Sequence, residues 1–308
     1  MTGGNPGVLD LGASRGRLNV LGGVAALLLV AGCSRGKIER VEWPVMGTIA
    51  AVQTRGHQFM MPSFVDVSSA KEVMEGIEKS LNAHDPASHL SRLAPLPESE
   101  ILARCDESMA TRFPWLEVRP CYEAAFKLMR ESGGAFNPRW RGPGTLDLGA
   151  IAKGFAVDMA DKVCYVDHCD ALLDLGGNLK ALRSEGGSHR PWKTGVRNPS
   201  GDGFAAVVDL REGEALATSA TYYRGSHIYD GRTGLAVSNG VASVTVLCRS
   251  AMWADGLSTT LFVLGPEEGR KFLDEKLRLL VGDMPVSALW LLADGRQVKF
   301  GDDNRFGE

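Results

Sequence analysis

Two oxygen-bearing side chains lie four residues apart in the segment Ala254 to Thr259. On a helix this spacing places Asp255 and Thr259 on one face. A carboxylate and a hydroxyl are hard oxygen ligands of the kind that Mg²⁺ selects. The same spacing fits an Asp favoured by the positive end of a helix dipole and a Thr bonded to its own turn. Spacing alone favours that simpler interpretation over a metal site.

A second candidate site is the glycine-rich segment 147–154, which leads into a predicted helix. Its glycines let the backbone approach a ligand closely, and free N–H groups at the start of a helix attract phosphate. Lys153 adds a positive charge at this point. The same residues could instead form a tight turn with a surface lysine. The pair Gly176-Gly177 follows a short apolar strand and predicts either a contact with a cofactor's phosphate or sugar, or only a turn.

A histidine lies where a predicted strand ends in a turn, in the segment Ser226 to Gly234. Imidazole titrates near neutral pH, so His227 could act as a general base. A structural role is the alternative interpretation, because the neighbouring pair Asp230-Gly231 is typical of a simple turn.

The elements that must position these residues are helices and strands mixed without strict alternation. One helix is predicted from a capping box at Ser69–Glu72, with Val73, Ile77 and Leu81 on its apolar face. Further helices are predicted over about 120–133, 150–163 and 252–264, the last ended by Gly265-Pro266. Strands are predicted over 43–52, 171–175, 192–196, 205–210, 217–223 and 243–248, before a hairpin of 289–292 and 297–300. This order predicts an α+β fold, a mostly antiparallel sheet flanked by helices.

The composition is that of an ordinary globular protein. Of 308 residues, 44% are hydrophobic and 23% are charged, which excludes wholesale disorder and collagen-like repeats. Lys and Arg total 34 against 37 Asp and Glu, so the net charge of −3 gives no reason to expect a nucleic-acid partner. No GxGxxG follows a strand and no Walker loop is present, which disfavours the common nucleotide folds.

The N-terminus predicts an export signal. Arg15 and Arg17 precede the apolar run 18–32, which is shorter than the ~20 residues of a comfortable transmembrane helix. The run ends in Leu29-Val30-Ala31-Gly32-Cys33, which resembles a bacterial lipobox. We therefore predict a lipoprotein signal peptide over 1–32, lipidation of Cys33, a tether over 33–42 and one domain over 43–308. Two or more acyl chains would anchor the protein stably to a membrane, facing the periplasm.

Five further cysteines leave the disulfide pattern open. They are Cys105, Cys121, Cys164, Cys169 and Cys248. An exported protein occupies an oxidising space, so Cys164 with Cys169, or Cys105 with Cys121, could pair. The odd number leaves at least one thiol free. No Cys or His spacing is typical of a zinc site.

The ordered motifs together resemble the FAD:protein FMN transferases, or ApbE-like proteins, from about residue 43 to the C-terminus. The segments that carry the resemblance are Met46-Gly47-Thr48, Asp147 to Asp158, Gly176-Gly177, Trp192 to Pro199, Thr218-Ser219, His227 to Gly234 and Ser243 through Gly265. No single segment is decisive, but the ordered set is specific. The resemblance implies an α+β fold that binds FAD and a flavin transferase activity. Such an enzyme moves the FMN half of FAD onto a threonine hydroxyl of another exported protein and releases AMP.

The resemblance also implies roles for individual residues. Asp255 and Thr259 would bind Mg²⁺ through their side chains, while Ala150 and Ser258 would offer backbone oxygen atoms. His227 would be the base that activates the incoming hydroxyl. The positions that match FAD contacts in the family are Met46, His84, Ala135, Phe136, Asn137, Asp147, Lys153 and Tyr229, with Gly176 and Gly177 lining the same site.

Three residues depart from the family's usual pattern, while the metal and base positions are intact. Asn137 stands in place of an Asp, His84 in place of an aromatic ring and Gly231 in place of a proline. We expect activity, and these changes are compatible with an altered affinity for FAD. The family implies an acceptor among the exported flavoprotein subunits of membrane electron-transfer complexes.

Two other functions fit the same motifs. An FAD pyrophosphatase would give FMN and AMP with water as the acceptor. A non-catalytic FAD-binding lipoprotein would store FAD or hand it over. Retention of His227, Asp255 and Thr259 argues against the non-catalytic alternative but does not separate the two enzymes.

Overall fold

Helices and strands follow one another along the chain in an irregular order. The computed structural model describes residues 38–56, 64–105, 117–199, 201–221 and 228–307. The helices are α1 (Val67–Leu81), α2 (His89–Leu93), α3 (Glu98–Arg104), α4 (Arg119–Glu131), α5 (Ala152–Val163) and α6 (Ala251–Val281), with a 3₁₀ helix at Asp303–Arg305. The strands are β1 (Ile38–Val45), β2 (Thr48–Gly56), β3 (Phe64–Val65), β4 (Val166–Asp167), β5 (Cys169–Leu175), β6 (Asn178–Ala181), β7 (Trp192–Arg197), β8 (Phe204–Leu210), β9 (Ala215–Ala220), β10 (Val241–Cys248), β11 (Ser287–Leu292) and β12 (Gln297–Phe300).

One antiparallel sheet of eight strands organises the fold. Its strand order is β1-β2-β5-β6-β9-β10-β11-β12, and each neighbouring pair is antiparallel. Strands β7 and β8 form a separate two-stranded sheet, as do the short strands β3 and β4. The predicted α+β class, with a mostly antiparallel sheet flanked by helices, is confirmed.

Both faces of the sheet are covered, because side chains alternate along each strand. In β5, Leu173 packs in the large core formed with the main helices, whereas Leu172 packs in a smaller core with the β7–β8 ribbon. In β11, Trp290 packs in the large core and Leu289 packs in the smaller one. A strand buried on both faces is mostly apolar, as the segment 171–175 is apart from Asp174.

The predicted strand over 43–52 is in fact a hairpin. β1 ends at Val45 and β2 begins at Thr48. Between them Met46 has φ 53° and Gly47 has φ 67°, the left-handed conformations of a tight two-residue turn. The first strand also begins at Ile38, so residues 38–42, which we predicted as part of a tether, belong to the sheet.

The start of α1 differs from the predicted capping box. Asp66 is the N-cap, and its side chain accepts a hydrogen bond from the backbone N–H of Ser69 over 3.1 Å. Ser69 is therefore inside the first turn, where it is buried. A carboxylate caps the N–H groups of a first turn well, so the helix begins earlier than the Ser–Glu pair indicated. Val73, Ile77 and Leu81 form the buried face, as predicted.

Helix α6 breaks at Gly265 and continues beyond it. Gly265 has φ 73° and ψ 179°, so the first helical run ends there as predicted, but a second run extends to Val281. Pro266 has no N–H to offer the carbonyl of Phe262 one turn earlier. The side-chain amide of Asn239 donates to that carbonyl over 2.9 Å instead. The predicted end of the helix at Gly265-Pro266 is confirmed, while the second helical run to Val281 was not predicted.

The five cysteines in the described part of the chain are all buried, and no disulfide joins any two of them. Neither of the two pairings that we considered forms. Among the described residues no helix has the length and apolarity to cross a membrane. The predicted signal peptide and Cys33 lie outside the described residues, as do the last residues of the predicted strand over 217–223.

Candidate active site at one end of the sheet

A carboxylate on α5 holds the N-terminus of α6 in place. Asp158 accepts hydrogen bonds from Ser250 Oγ at 2.6 Å, Ala251 N at 2.9 Å and Met252 N at 3.0 Å. These N–H groups have no partner within the helix, so the carboxylate supplies one. Lys180 Nζ lies 2.7 Å from Asp158 Oδ1 and neutralises its charge. The two helices are thereby fixed at the point where the candidate residues lie.

Asp255 and the segment 147–154 meet directly. Oδ2 of Asp255 accepts a hydrogen bond from the backbone N–H of Gly154 over 2.9 Å. Lys153 Nζ lies 3.6 Å from the same oxygen. Asp255 is 5% exposed, so this carboxylate is buried against a cation and a backbone donor. The two segments singled out in the sequence thus form one site.

The loop before α5 is shaped by its own polar groups. Asp147 Oδ1 accepts from the N–H of Gly149 over 2.8 Å, and Lys153 Nζ donates to the Gly149 carbonyl over 3.0 Å. Arg141 Nη2 lies 3.4 Å from Asp147 Oδ2. Ala150 lies in the turn just before α5, between Gly149 and Lys153 in the sequence, and is half-buried. Lys153, in the first turn of α5, is therefore held between the Gly149 carbonyl and the Asp255 carboxylate.

Three hydroxyl groups join α6 to β9. Ser219 Oγ lies 2.9 Å from Ser258 Oγ and 3.0 Å from Thr259 Oγ1. Ser258 is fully buried, and its hydroxyl donates to the Asp255 carbonyl over 2.9 Å. Thr259 is half-buried. The strand end at Ser219 is thus attached to the same helical turn that carries Asp255.

The donor set here suits a hard cation with few protein ligands. Among the described residues, no group of three His, Cys, Asp or Glu side chains is placed to hold a metal ion. The available donors are the Asp255 carboxylate and the Thr259 hydroxyl, one turn apart on α6. Mg²⁺ is usually bound by one or two carboxylates together with substrate phosphates and water, so these residues fit Mg²⁺ in chemical type.

Two tight turns lie together at the same end of the sheet. Gly176 has φ 58°, and a β-carbon built on it would lie 2.6 Å from Thr48 Oγ1. The N–H of Gly177 donates to Asp174 Oδ1 over 2.9 Å. Burial raises the pKa of Asp174, opposed by this hydrogen bond and by Arg40. The Gly176-Gly177 turn therefore packs on the Met46-Gly47-Thr48 turn, which is possible only without a side chain at position 176.

Strand register places Ser219 at this end as well. Leu179 of β6 pairs with Leu216 of β9, and the strands run antiparallel. β6 starts just after the Gly176-Gly177 turn, so β9 runs toward that turn as it approaches Ser219. The N–H of Met46 donates to Glu78 Oε1 of α1 over 2.7 Å. His84 follows α1 and is exposed.

The segment 135–137 contacts the turn at 228–234. Asn137 Nδ2 donates to the Gly231 carbonyl over 3.0 Å, and the Gly231 N–H donates to the Ala135 carbonyl over 3.1 Å. A β-carbon on Gly231 would lie 2.2 Å from Cβ of Asn137. Asn137 and Gly231, two of the three residues that depart from the family's usual pattern, are therefore neighbours. Ala135 and Phe136 are buried.

Tyr229 is stacked on a residue that the sequence analysis did not single out. The rings of Tyr229 and Trp140 lie 4.1 Å apart with an interplanar angle of 11°. The guanidinium of Arg141 lies over the Trp140 ring, 4.7 Å from its centroid. His227, the predicted base, lies outside the described residues.

Sequence reasoning also missed Asp158, Lys180 and the role of Ser219. Asp158 and Ser250 are 92 residues apart, and Ser219 and Thr259 are 40 apart. No local spacing connects such pairs. The one available signal was Asp158 itself, a charged residue in a helix whose other inward positions are apolar.

The chain is similar to flavin transferases in both sequence and structure. Residues 139–281 match the model of the ApbE family. An FAD:protein FMN transferase from Rhodobacter capsulatus is 40% identical over 132 residues, 40% of this chain and 25% of that protein. One from Vibrio cholerae is 39% identical over 136 residues, 40% of each chain. The chain thus spans well under two thirds of the length of these curated relatives.

Solved structures match over a larger share of the chain. The flavin transferase ApbE from Vibrio cholerae aligns with a TM-score of 0.61 at 21% identity, covering 87% of this chain and 98% of that one. The apo form of the flavinyl transferase ApbE from Pseudomonas stutzeri aligns with a TM-score of 0.63 at 22% identity, covering 90% and 99%.

The antiparallel sheet and its flanking helices define the ApbE flavin transferase fold. The resemblance drawn from the ordered motifs is confirmed. The segment that matches the ApbE family model, residues 139–281, includes Asp147, Lys153, Ser219, Asp255 and Thr259.

Proposed function

We propose that this protein is an FAD:protein FMN transferase. It would move the FMN half of FAD onto a threonine hydroxyl of an acceptor protein and release AMP. The observation that carries the proposal is the meeting of Asp255 with Lys153 and the N–H of Gly154. Two relatives named FAD:protein FMN transferase, which match part of this chain, also support the proposal.

The reaction exchanges one phosphorus–oxygen bond for another. The threonine oxygen would bond to the phosphorus of the FMN half, and the bond from that phosphorus to the AMP oxygen would break. His227 would take the threonine proton, an effect worth ~10²–10⁴ in rate. The AMP phosphate would leave with the electron pair of the broken bond. Threonine is the proposed acceptor residue because the family resemblance implies it.

The described residues would bind the dinucleotide and orient its diphosphate. Mg²⁺, held by the Asp255 carboxylate, the Thr259 hydroxyl and the backbone oxygens of Ala150 and Ser258, would supply neutralisation of the phosphate charge. Lys153 would add a fixed positive charge beside the same phosphates. The remaining proposed contacts to FAD are Met46, His84, Ala135, Phe136, Asn137, Asp147, Gly176, Gly177 and Tyr229.

A flavin transfer assay tests this function. Protein from Ser34 onward is mixed with FAD, Mg²⁺ and a candidate acceptor domain, and flavin fluorescence on the acceptor is read in a denaturing gel. We expect fluorescence that EDTA and His227→Ala each abolish. His189→Ala is the matched control, because His189 pairs with Glu212 and hydrogen-bonds to Asp170 at the start of β5, the end opposite Gly176.

Other outcomes of the assay would replace the proposal. AMP release without a labelled acceptor would indicate an FAD pyrophosphatase. Bound FAD with neither product would indicate a non-catalytic flavin-binding protein. Exported flavoprotein subunits of membrane electron-transfer complexes are the first acceptors to assay.

We further propose that the protein is exported and anchored to a membrane through lipidated Cys33, facing the periplasm. The lipobox-like sequence at 29–33 supports this location. Radiolabelled palmitate should be incorporated into the wild type and not into Cys33→Ala. Equal incorporation into both proteins would contradict the anchor.

A further inference from the structure

The hydroxyl groups of Ser219, Ser258 and Thr259 form a hydrogen-bonded chain with Ser219 Oγ in the middle. Ser258 Oγ lies 2.9 Å from the Asp255 carbonyl, which can only accept, so the Ser258 hydroxyl is the donor. Each hydroxyl has one proton. When the Ser258 proton is directed at that carbonyl, the hydrogen bond between Ser258 and Ser219, 2.9 Å long, uses the proton of Ser219.

The same arrangement directs the proton of Thr259. With the Ser219 proton directed at Ser258, the 3.0 Å hydrogen bond between Ser219 and Thr259 uses the proton of Thr259. The hydroxyl proton of Thr259 then points to β9. Its oxygen lone pairs remain free of that bond and can accept a cation.

This arrangement selects one of two conformations that a helical threonine can adopt. In helices Thr divides between two χ1 rotamers, because its hydroxyl can bond a carbonyl of the preceding turn. The adjacent Thr260 does so, donating to the Gly256 carbonyl over 2.8 Å. Thr259 instead bonds across to the sheet. Ser219 is the group on β9 that Thr259 meets there.

We propose that Ser219 is a positioning residue, which holds the Thr259 hydroxyl in the rotamer and proton direction needed to bind a divalent cation. The inference rests on the proposed function, which places that cation at Asp255 and Thr259. Without the Ser219 hydroxyl, Thr259 could turn back to its own helix as Thr260 does. Its oxygen would then no longer be held next to the cation position.

The residue before Ser219 in β9 offers a matched control. Thr218 Oγ1 lies 2.9 Å from Thr245 Oγ1 of β10, so Thr218 also makes a hydroxyl pair. Successive residues of a strand point to opposite faces, so this pair lies away from α6. Thr218→Val removes one hydroxyl–hydroxyl bond from β9 and leaves Ser219 in place.

The test measures cation binding apart from catalysis. Mn²⁺ is titrated into the purified full chain, and free Mn²⁺ is followed by electron paramagnetic resonance. We expect Ser219→Ala to weaken Mn²⁺ binding ~10-fold or more, the usual effect of losing a group that orients a metal ligand. Ser219→Thr keeps the hydroxyl and should retain wild-type affinity, as should Thr218→Val. If Ser219→Ala does not fold, Ser219→Cys, whose thiol is a weak hydrogen-bonding group, should weaken binding instead.

Three outcomes would overturn the inference. They are wild-type Mn²⁺ affinity in Ser219→Ala or its cysteine substitute, equal weakening in Thr218→Val, and no Mn²⁺ binding by the wild type. Failure of the proposed function would look different: Mn²⁺ would bind with the expected pattern of variants, but no acceptor would be labelled.

Discussion

The backbone N–H of Gly154 donates to Oδ2 of Asp255, and a β-carbon on Gly154 would lie 2.7 Å from Cβ of Asp255. The same added carbon would lie 2.1 Å from the Ala251 carbonyl oxygen. Helices α5 and α6 therefore approach so closely that only glycine fits at position 154. The candidate metal carboxylate is held in place by this contact.

Gly154→Ala should separate the two helices. Overpacking of this kind usually lowers the free energy of unfolding by about 1–3 kcal/mol. We expect a loss at the upper end of this range, because the added carbon meets backbone atoms rather than a movable side chain. We expect a lower midpoint of thermal unfolding and weaker Mn²⁺ binding. Gly201→Ala is the control, since the nearest atom to a β-carbon there is 3.8 Å away. Unchanged stability and Mn²⁺ affinity in Gly154→Ala would refute the close contact.

Asp255→Asn should abolish cation binding while preserving the fold. The amide oxygen of Asn can still accept from Gly154, so the contact between helices survives, but the negative charge facing Lys153 is lost. We expect a wild-type unfolding midpoint together with at least a ~10²-fold loss of FMN transfer, as for removal of a main electrostatic group. Mn²⁺ titration and the transfer assay measure the two effects. Full transfer activity in Asp255→Asn would exclude this carboxylate from the metal site.

Lys180 should make stability depend on alkaline pH. Burial alone would lower the pKa of Lys180, but the charges of Asp158 and Asp161 raise it above its ordinary value. The stabilising contribution is therefore complete below the unfolded pKa of about 10.4 and is lost as the pH rises through the higher folded pKa. Lys180→Met should lower the unfolding midpoint at pH 8, because a buried pair broken on one side costs about 3–5 kcal/mol.

The difference in unfolding midpoint between the wild type and Lys180→Met should then become smaller above about pH 10.5, since the wild-type lysine also becomes neutral. Thermal unfolding followed by circular dichroism from pH 8 to pH 12 measures this. A difference that stays constant over the whole range would show that the ammonium charge is not what stabilises the cluster.

The buried cysteines should be unreactive until the protein unfolds. Burial raises the pKa of Cys164, Cys169 and Cys248 to about 12. Because the thiolate is the nucleophile, their labelling at pH 8 should be slower than that of an ordinary thiol by on the order of 10³-fold. In protein from Ser34 onward, a thiol reagent should count five free thiols after unfolding in guanidinium without reductant. A count of three or one would reveal disulfides.

Much of the scaffold could be predicted, because periodicity reports which face of an element is buried. The spacing of Val73, Ile77 and Leu81 predicted α1, and the segment 289–300 predicted the last hairpin correctly. The prediction was wrong where one local contact decides the outcome. Asp66 displaces the N-cap from Ser69, and left-handed Met46 and Gly47 convert one strand into two.

The candidate site could be predicted only in part. The four-residue spacing of Asp255 and Thr259 marked one helical face, and the ordered motifs marked the loop at 147–154. Ser219 and Asp158 contribute through contacts that depend on strand register and helix packing. Such contacts join residues far apart in the sequence, so no local pattern indicates them.

Because α6 is interrupted at Gly265, the rotation of one helical run about its axis does not determine that of the other. In an unbroken helix, each inserted residue would rotate everything beyond it by about 100° about the helix axis. Here the backbone leaves helical geometry at Gly265, and the Asn239 amide secures the end of the first run. A change of length after Pro266 would therefore leave the angular phase of Asp255 and Thr259 unchanged, and would instead shift Phe272 and Leu273, which are buried in the core.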